Sequence, residues 1–119
     1  MLDLVKPRRF FLAQYVVDFR KGHQGLLSEA RRNGLEPYAG DLIAFVSRDR
    51  TKIKALIGDE SGLTLLYKSF STGTIKTKIR FLDSPDVHSV TFAEIAMLLE
   101  GSAYTVHKVS DKWLPQSLY

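Results

Sequence analysis

Short apolar runs alternate with polar turn segments along most of this chain, and two stretches show helical spacing instead. The run over 10–17, rich in aromatic and β-branched residues, predicts a first strand, with Pro7 holding its entry extended. Behind it Asp18 is placed to cap a helix that carries Leu26, Leu27 and Ala30 inward. Asn33 and Gly34 tolerate the left-handed conformation that a helix stop requires, so that helix is expected over 22–33. Turn residues over 37–41 lead into Leu42-Ile43-Ala44-Phe45-Val46, a near-continuous apolar run of the kind found in a central strand. A polar tip over 48–51, a second arm over 52–57, a turn over 58–62 and a third arm over 63–68 then make an antiparallel meander.

After another turn at 71–74, residues 75–81 alternate between an apolar and a cationic face. Pro85 lies in a polar break, and Thr91-Phe92-Ala93-Glu94 has the spacing of a capping box. The helix it opens places Phe92, Ile95, Ala96 and Leu99 on one face, with Gly101 at its stop. The tail from 102 holds a short strand candidate over 104–109 and an apolar Trp113-Leu114-Pro115 segment suited to covering a sheet edge. These elements predict an α+β fold: an antiparallel sheet of four or five strands, with the helices over 22–33 and 91–100 against one face and cations on the other.

A length of 119 residues with 45% hydrophobic and 25% charged positions suits a single domain over 1–119, with enough apolar surface for one core. The absence of cysteine excludes disulfides, thiolate-ligated metals and cysteine nucleophiles, and points to the cytoplasm. No apolar run approaches the roughly 20 residues of a spanning helix, and the amino-terminal stretch does not have the pattern of a secretion signal. Neither a membrane nor a cofactor is expected. The net charge of +4 permits contact with phosphate backbones but does not require it.

Candidate chemistry is sparse. His23, His88 and His107 are far apart, without the paired spacing of metal ligands. A two-metal nuclease would need converging carboxylates, and Asp41, Asp59 and Glu60 are the available set, yet each is most simply a turn residue. No serine lies in an elbow or lysine-paired motif, and Gly22 with Gly25 makes only a weak phosphate-clamp match. The cations are more informative. Lys76, Lys78 and Arg80 share one strand face, and Lys52 and Lys54 share another, so coincident faces would form a basic plate. Arg20, Lys21, Arg31 and Arg32 could add contacts, whereas a wet sheet face kept cationic for solubility would look the same. Tyr15, Phe19, Tyr38, Tyr67 and Tyr104 are either base-stacking surfaces or core.

Several segments occur in register with a known family: Asp18-Phe19-Arg20-Lys21-Gly22 with Gly25-Leu26; Pro37-Tyr38-Ala39-Gly40-Asp41-Leu42 with Phe45; Lys52-Ile53-Lys54, then Asp59, Gly62 and Leu66-Tyr67-Lys68; and Ala93-Glu94-Ile95-Ala96-Met97-Leu98-Leu99-Glu100-Gly101. Over about 10–101 the chain resembles the TnpB-type accessory protein, the second reading frame of the insertion sequence sixty-six family of bacterial elements. The resemblance implies a non-catalytic helper of transposition, encoded beside a separate transposase, with DNA and the transposase as its expected partners. Arg20 and Lys21 carry over best, followed by Lys52, Lys54 and Lys68. The central hairpin departs from the family pattern, since Ile57, Gly58 and Leu66 stand where aromatics are usual, so base stacking there is not implied. A pure protein adaptor without nucleic-acid contact is the alternative, and a small metal-dependent nuclease a remoter one.

Overall fold

The computed structural model describes residues 7–75 and 87–100. Five strands form one sheet: β1 (Arg9–Ala13), β2 (Asp41–Val46), β3 (Lys52–Asp59), β4 (Gly62–Ser69) and β5 (Val87–Val90), in the order β4-β3-β2-β1-β5. The expected meander is present as β2, β3 and β4, with Ala44 opposite Ala55 and Ala55 opposite Leu66. The α+β class therefore stands, but β1 pairs with β2 in parallel, with Arg9 opposite Asp41 and Leu12 opposite Ala44. A parallel pair needs a crossover, and α1 (His23–Arg32) occupies it.

Two apolar clusters form, and the period-two alternation of β2 and β3 assigns them to opposite faces of the sheet. One joins Leu42, Ala44, Val46, Ile53, Ala55 and Ile57 to Ile95 and Leu98 of α2 (Phe92–Glu100). The other joins Ile43, Phe45 and Leu56 to Leu26, Leu27 and Ala30 of α1. The two helices thus lie on opposite faces, not on the single face expected. Every residue of β2 is buried as a result, which is what its unbroken apolar run requires.

Both helices end where their sequences dictate. Thr91 and Glu94 close the capping box reciprocally, Thr91 N–H donating to Glu94 Oε1 at 2.8 Å and Glu94 N–H to Thr91 Oγ1 at 3.1 Å. Asn33 caps α1, and Gly34 follows at φ 78°. At the other end of α1 the cap is Gly22, not Asp18. β1 is also shorter than the apolar run predicts: the chain leaves the sheet after Ala13 and carries Tyr15 and Val17 into the α1 cluster. β5 was not expected. The strands expected over 75–81 and 104–109 fall, apart from Ile75, outside the described residues. Among the described residues, no helix is long and apolar enough to cross a membrane.

Candidate nucleic-acid interface

The loop between β1 and α1 is built around a buried ammonium. Lys54 is 8% exposed, and its Nζ donates to the carbonyl oxygens of Phe19 at 2.7 Å and Lys21 at 3.0 Å. The rings of Phe19 and Tyr67 lie 5.3 and 5.2 Å from that nitrogen, so the charge also meets two π-faces. Pinning the carbonyls of residues 19 and 21 leaves Arg20, between them, as the residue that projects. Its side chain is 91% exposed, and Asp18 accepts from its Nε and Nη2 at 2.7–3.1 Å, fixing one edge of the guanidinium. Asp18 also accepts from the Arg20 N–H at 2.9 Å. The Arg20 side chain first, and then this backbone bond, hold the Asp18 carboxyl down to about 2.

Lys21 completes the corner. Its Nζ lies 3.8 Å from Glu29 Oε2, a loose pairing that leaves the ammonium partly in solvent. Gly25 makes room for it, because a Cβ at that position would stand 3.0 Å from the Lys21 Cβ. Glu29 is itself tied down by Tyr15 Oη at 2.9 Å and Arg32 Nη2 at 2.7 Å, with Asn33 donating to the Tyr15 oxygen at 2.9 Å. Three segments distant in sequence (18–26, 52–54 and 66–68) therefore supply Arg20, Lys21, Lys54 and Tyr67 to one corner.

The part of the expected basic plate that falls within the described residues, Lys52 and Lys54, is not an open cationic face. Lys52 and Lys54 do share a face, but it is the face covered by α1, and Lys54 is consumed by the loop. Lys52 is half-buried and donates to Thr51 Oγ1 at 3.2 Å. Lys68 pairs with Ile53 across the strands, so it faces the α2 side, where its Nζ donates to the Leu99 carbonyl at 2.6 Å and neutralises a helix C-terminus. Lys76, Lys78 and Arg80 lie outside the described residues. Of the aromatics, Tyr15 and Phe19 belong to the core cluster, whereas Tyr38 and Tyr67 are 45% and 56% exposed.

Two of the three carboxylates weighed for metal chemistry, Asp41 and Asp59, are engaged locally. Asp41, with its side chain 3% exposed, accepts from Arg9 Nε at 2.8 Å and Nη2 at 2.9 Å and from the Glu36 N–H at 2.9 Å. Those bonds to Arg9 hold its carboxyl below the usual range against the opposing effect of burial. Asp59 accepts from Ser61 N–H and Oγ, both at 2.8 Å, and from the Gly62 N–H at 3.1 Å, closing the β3–β4 turn. Among the described residues, no three acidic or histidine side chains group as a metal site.

Sequence reasoning named Arg31 but missed Arg8 and Arg9, which join it in a second set of cations. Arg8, Arg9 and Arg31 surround the short 3-10 turn Pro37–Ala39: Arg8 Nε donates to the Ala39 carbonyl at 3.1 Å, and Arg31 forks onto Glu36 at 2.8 and 3.2 Å. Only the parallel register of β1 on β2 brings Arg8 and Arg9 there, and no local signal announces it. Residues 8–108 match the family model described as IS66 Orf2 like protein. No curated protein and no solved structure matches the chain.

Proposed function

Because the chain belongs to the IS66 Orf2-like family of insertion-sequence proteins, we propose that it is a non-catalytic accessory protein of transposition that grips duplex DNA at the Arg20–Lys21 corner. It does so in the cytoplasm, beside the element's transposase. The observation that carries this reading is the Lys54 ammonium bonded to the Phe19 and Lys21 carbonyls, which supports a loop that holds Arg20 outward before any ligand arrives. With one edge of the Arg20 fork fixed by Asp18, its remaining N–H groups are oriented for a phosphate oxygen, and Lys21 lies next to it as a point charge. Such contacts read no bases, so binding is tolerant of sequence. Lys76, Lys78 and Arg80 stay in the proposal on the period-two alternation of their sequence, and Lys52 as a lesser contact.

The test is a titration of labelled duplex with the purified full chain over a range of salt. Binding is expected to be weak and to fall steeply as salt rises. Arg20→Ala and Lys21→Ala should each lower the slope of log K against log[salt] by about 0.9, the contribution of one phosphate contact. Absence of binding at low salt would leave the adaptor reading, in which the same corner meets the transposase.

A further inference from the structure

We propose that the turn over 36–41 and the arginines around it form a second contact site, for single-stranded nucleic acid, in which an unpaired base stacks on Tyr38 and flanking phosphates lie on Arg8 and Arg31. The site is separate from the Arg20 corner. Asp41 opens β2, whereas Phe45, opposite Lys54, lies four residues further along it, roughly 13 Å at the rise of a strand.

Tyr38 is held as a platform. Its ring backs onto β3 at Gly58, where a Cβ would stand 3.0 Å from the ring and 3.1 Å from the Tyr38 Cα, and the side chain is nonetheless exposed. The Glu36 carboxylate accepts from the Tyr38 N–H at 3.1 Å and from the Arg31 fork, so one acid positions both the ring and a guanidinium. The central carbon of that guanidinium lies 5.9 Å from the ring centroid, at the outer limit of a cation–π contact. Arg8 is held by a neutral carbonyl, and the single charge of Asp41 answers to both Arg8 and Arg9. Of the three guanidiniums around the turn, Arg8 is bonded to a carbonyl where Arg9 and Arg31 are bonded to carboxylates, and it stands on the turn that carries the exposed aromatic face.

That pairing selects the ligand. Arginines alone would serve a duplex or an acidic peptide equally, but a ring presented among them gains only from a flat π-surface, and in a duplex each base already has both faces covered. Because the ring and Arg31 are ordered before binding, little conformational freedom is lost when the strand arrives.

The experiment follows anisotropy of a labelled oligothymidylate and, separately, of a duplex of equal length, using the full chain. Tyr38→Ala should weaken single-strand binding by about 5-fold or more, the loss expected for one stacked base, and leave the duplex titration as it was. Tyr38→Phe should restore the single-strand affinity. Arg8→Ala should lower the single-strand salt slope by about 0.7. If Tyr38→Ala does not fold, Tyr38→Leu keeps apolar packing on Gly58 without a π-face and is judged by the same criterion. Single-strand affinity unchanged in Tyr38→Ala or Tyr38→Leu, an equal loss on the duplex, or displacement of the oligonucleotide by polyglutamate at matched charge would overturn the proposal, the last in favour of an acidic protein. A duplex that fails to bind while the single strand does would sink the Arg20 reading alone.

Discussion

Replacing Lys54 by methionine keeps a stem of similar length and removes the ammonium that joins β3 to the loop over 18–22. Two hydrogen bonds from a charged donor contribute about 1.5–3 kcal/mol each, so the gross loss is about 3–6 kcal/mol. Two effects offset part of it. Methionine has no charge to desolvate, and the Phe19 and Lys21 carbonyls belong to half-buried loop residues that water reaches once the ammonium is gone. The net destabilisation is then about 2 kcal/mol. For 119 residues the unfolding entropy is about 0.25 kcal/mol/K, and the melting temperature should fall by about 8 °C. A lysine on an open basic face would instead change stability by at most about 0.5 kcal/mol, or about 2 °C. Calorimetry of the two proteins decides between these values, and a shift inside the smaller one would refute the clamp. Hydrogen exchange localises the effect: the Lys21 N–H, bonded to the Asp18 carbonyl, and the Leu26 N–H, bonded to the Gly22 carbonyl, should both exchange faster in Lys54→Met.

Two further expectations concern pH. Asp18 and Asp49 titrate near 2 in the fold against an ordinary 3.8, the latter held down first by the Thr51 and Ser47 hydroxyls, so the stability they contribute is complete above about pH 4 and is lost as pH falls toward 2. Urea midpoints measured across that window should decline, and Asp49→Asn should flatten the decline. Tyr15 behaves oppositely, because burial, and then its bond to Glu29, raise its phenol above the ordinary 10.0. Its contribution is complete below pH 10 and disappears as pH climbs through the raised value, so Tyr15→Phe should cost about 1–2 kcal/mol at neutral pH and soften the alkaline loss seen by circular dichroism.

What was legible in the sequence was local. The capping box of α2, the Asn33-Gly34 stop of α1 and the β2–β3–β4 meander all depend on residues within a few positions of one another, and all appear where their patterns put them. The partners that build the candidate sites are far apart in the chain: Lys54 reaches Phe19 across 35 residues, and Arg9 reaches Asp41 across 32. Alternation shows that Lys52 and Lys54 share a face but not which element covers it. One signal was present and misread. A half-wet sheet should alternate along its central strand, yet Leu42-Ile43-Ala44-Phe45-Val46 is apolar throughout, which already implies cover on both faces and helices on opposite sides. Asp18 misled for a related reason: its side chain favours capping and turns alike, and here the turn with Arg20 prevails.

The net charge of this chain says less about its surface than the pairing of individual arginines does. Arg9, Arg20, Arg31 and Arg32 are each bonded to a carboxylate, through Asp41, Asp18, Glu36 and Glu29 respectively. The two pairs exposed on both sides, Arg20–Asp18 and Arg31–Glu36, contribute little to stability, which leaves orientation as their main physical effect. A guanidinium held at one edge presents the other in a fixed direction and loses less freedom when a phosphate binds. The carboxylate also lowers the long-range attraction of the pair for any polyanion. Pre-oriented forks, one on β1, one in the loop before α1 and two in the last turn of α1, therefore trade bulk affinity for geometry, which under the proposed function favours phosphates at set spacings over any surface of opposite sign.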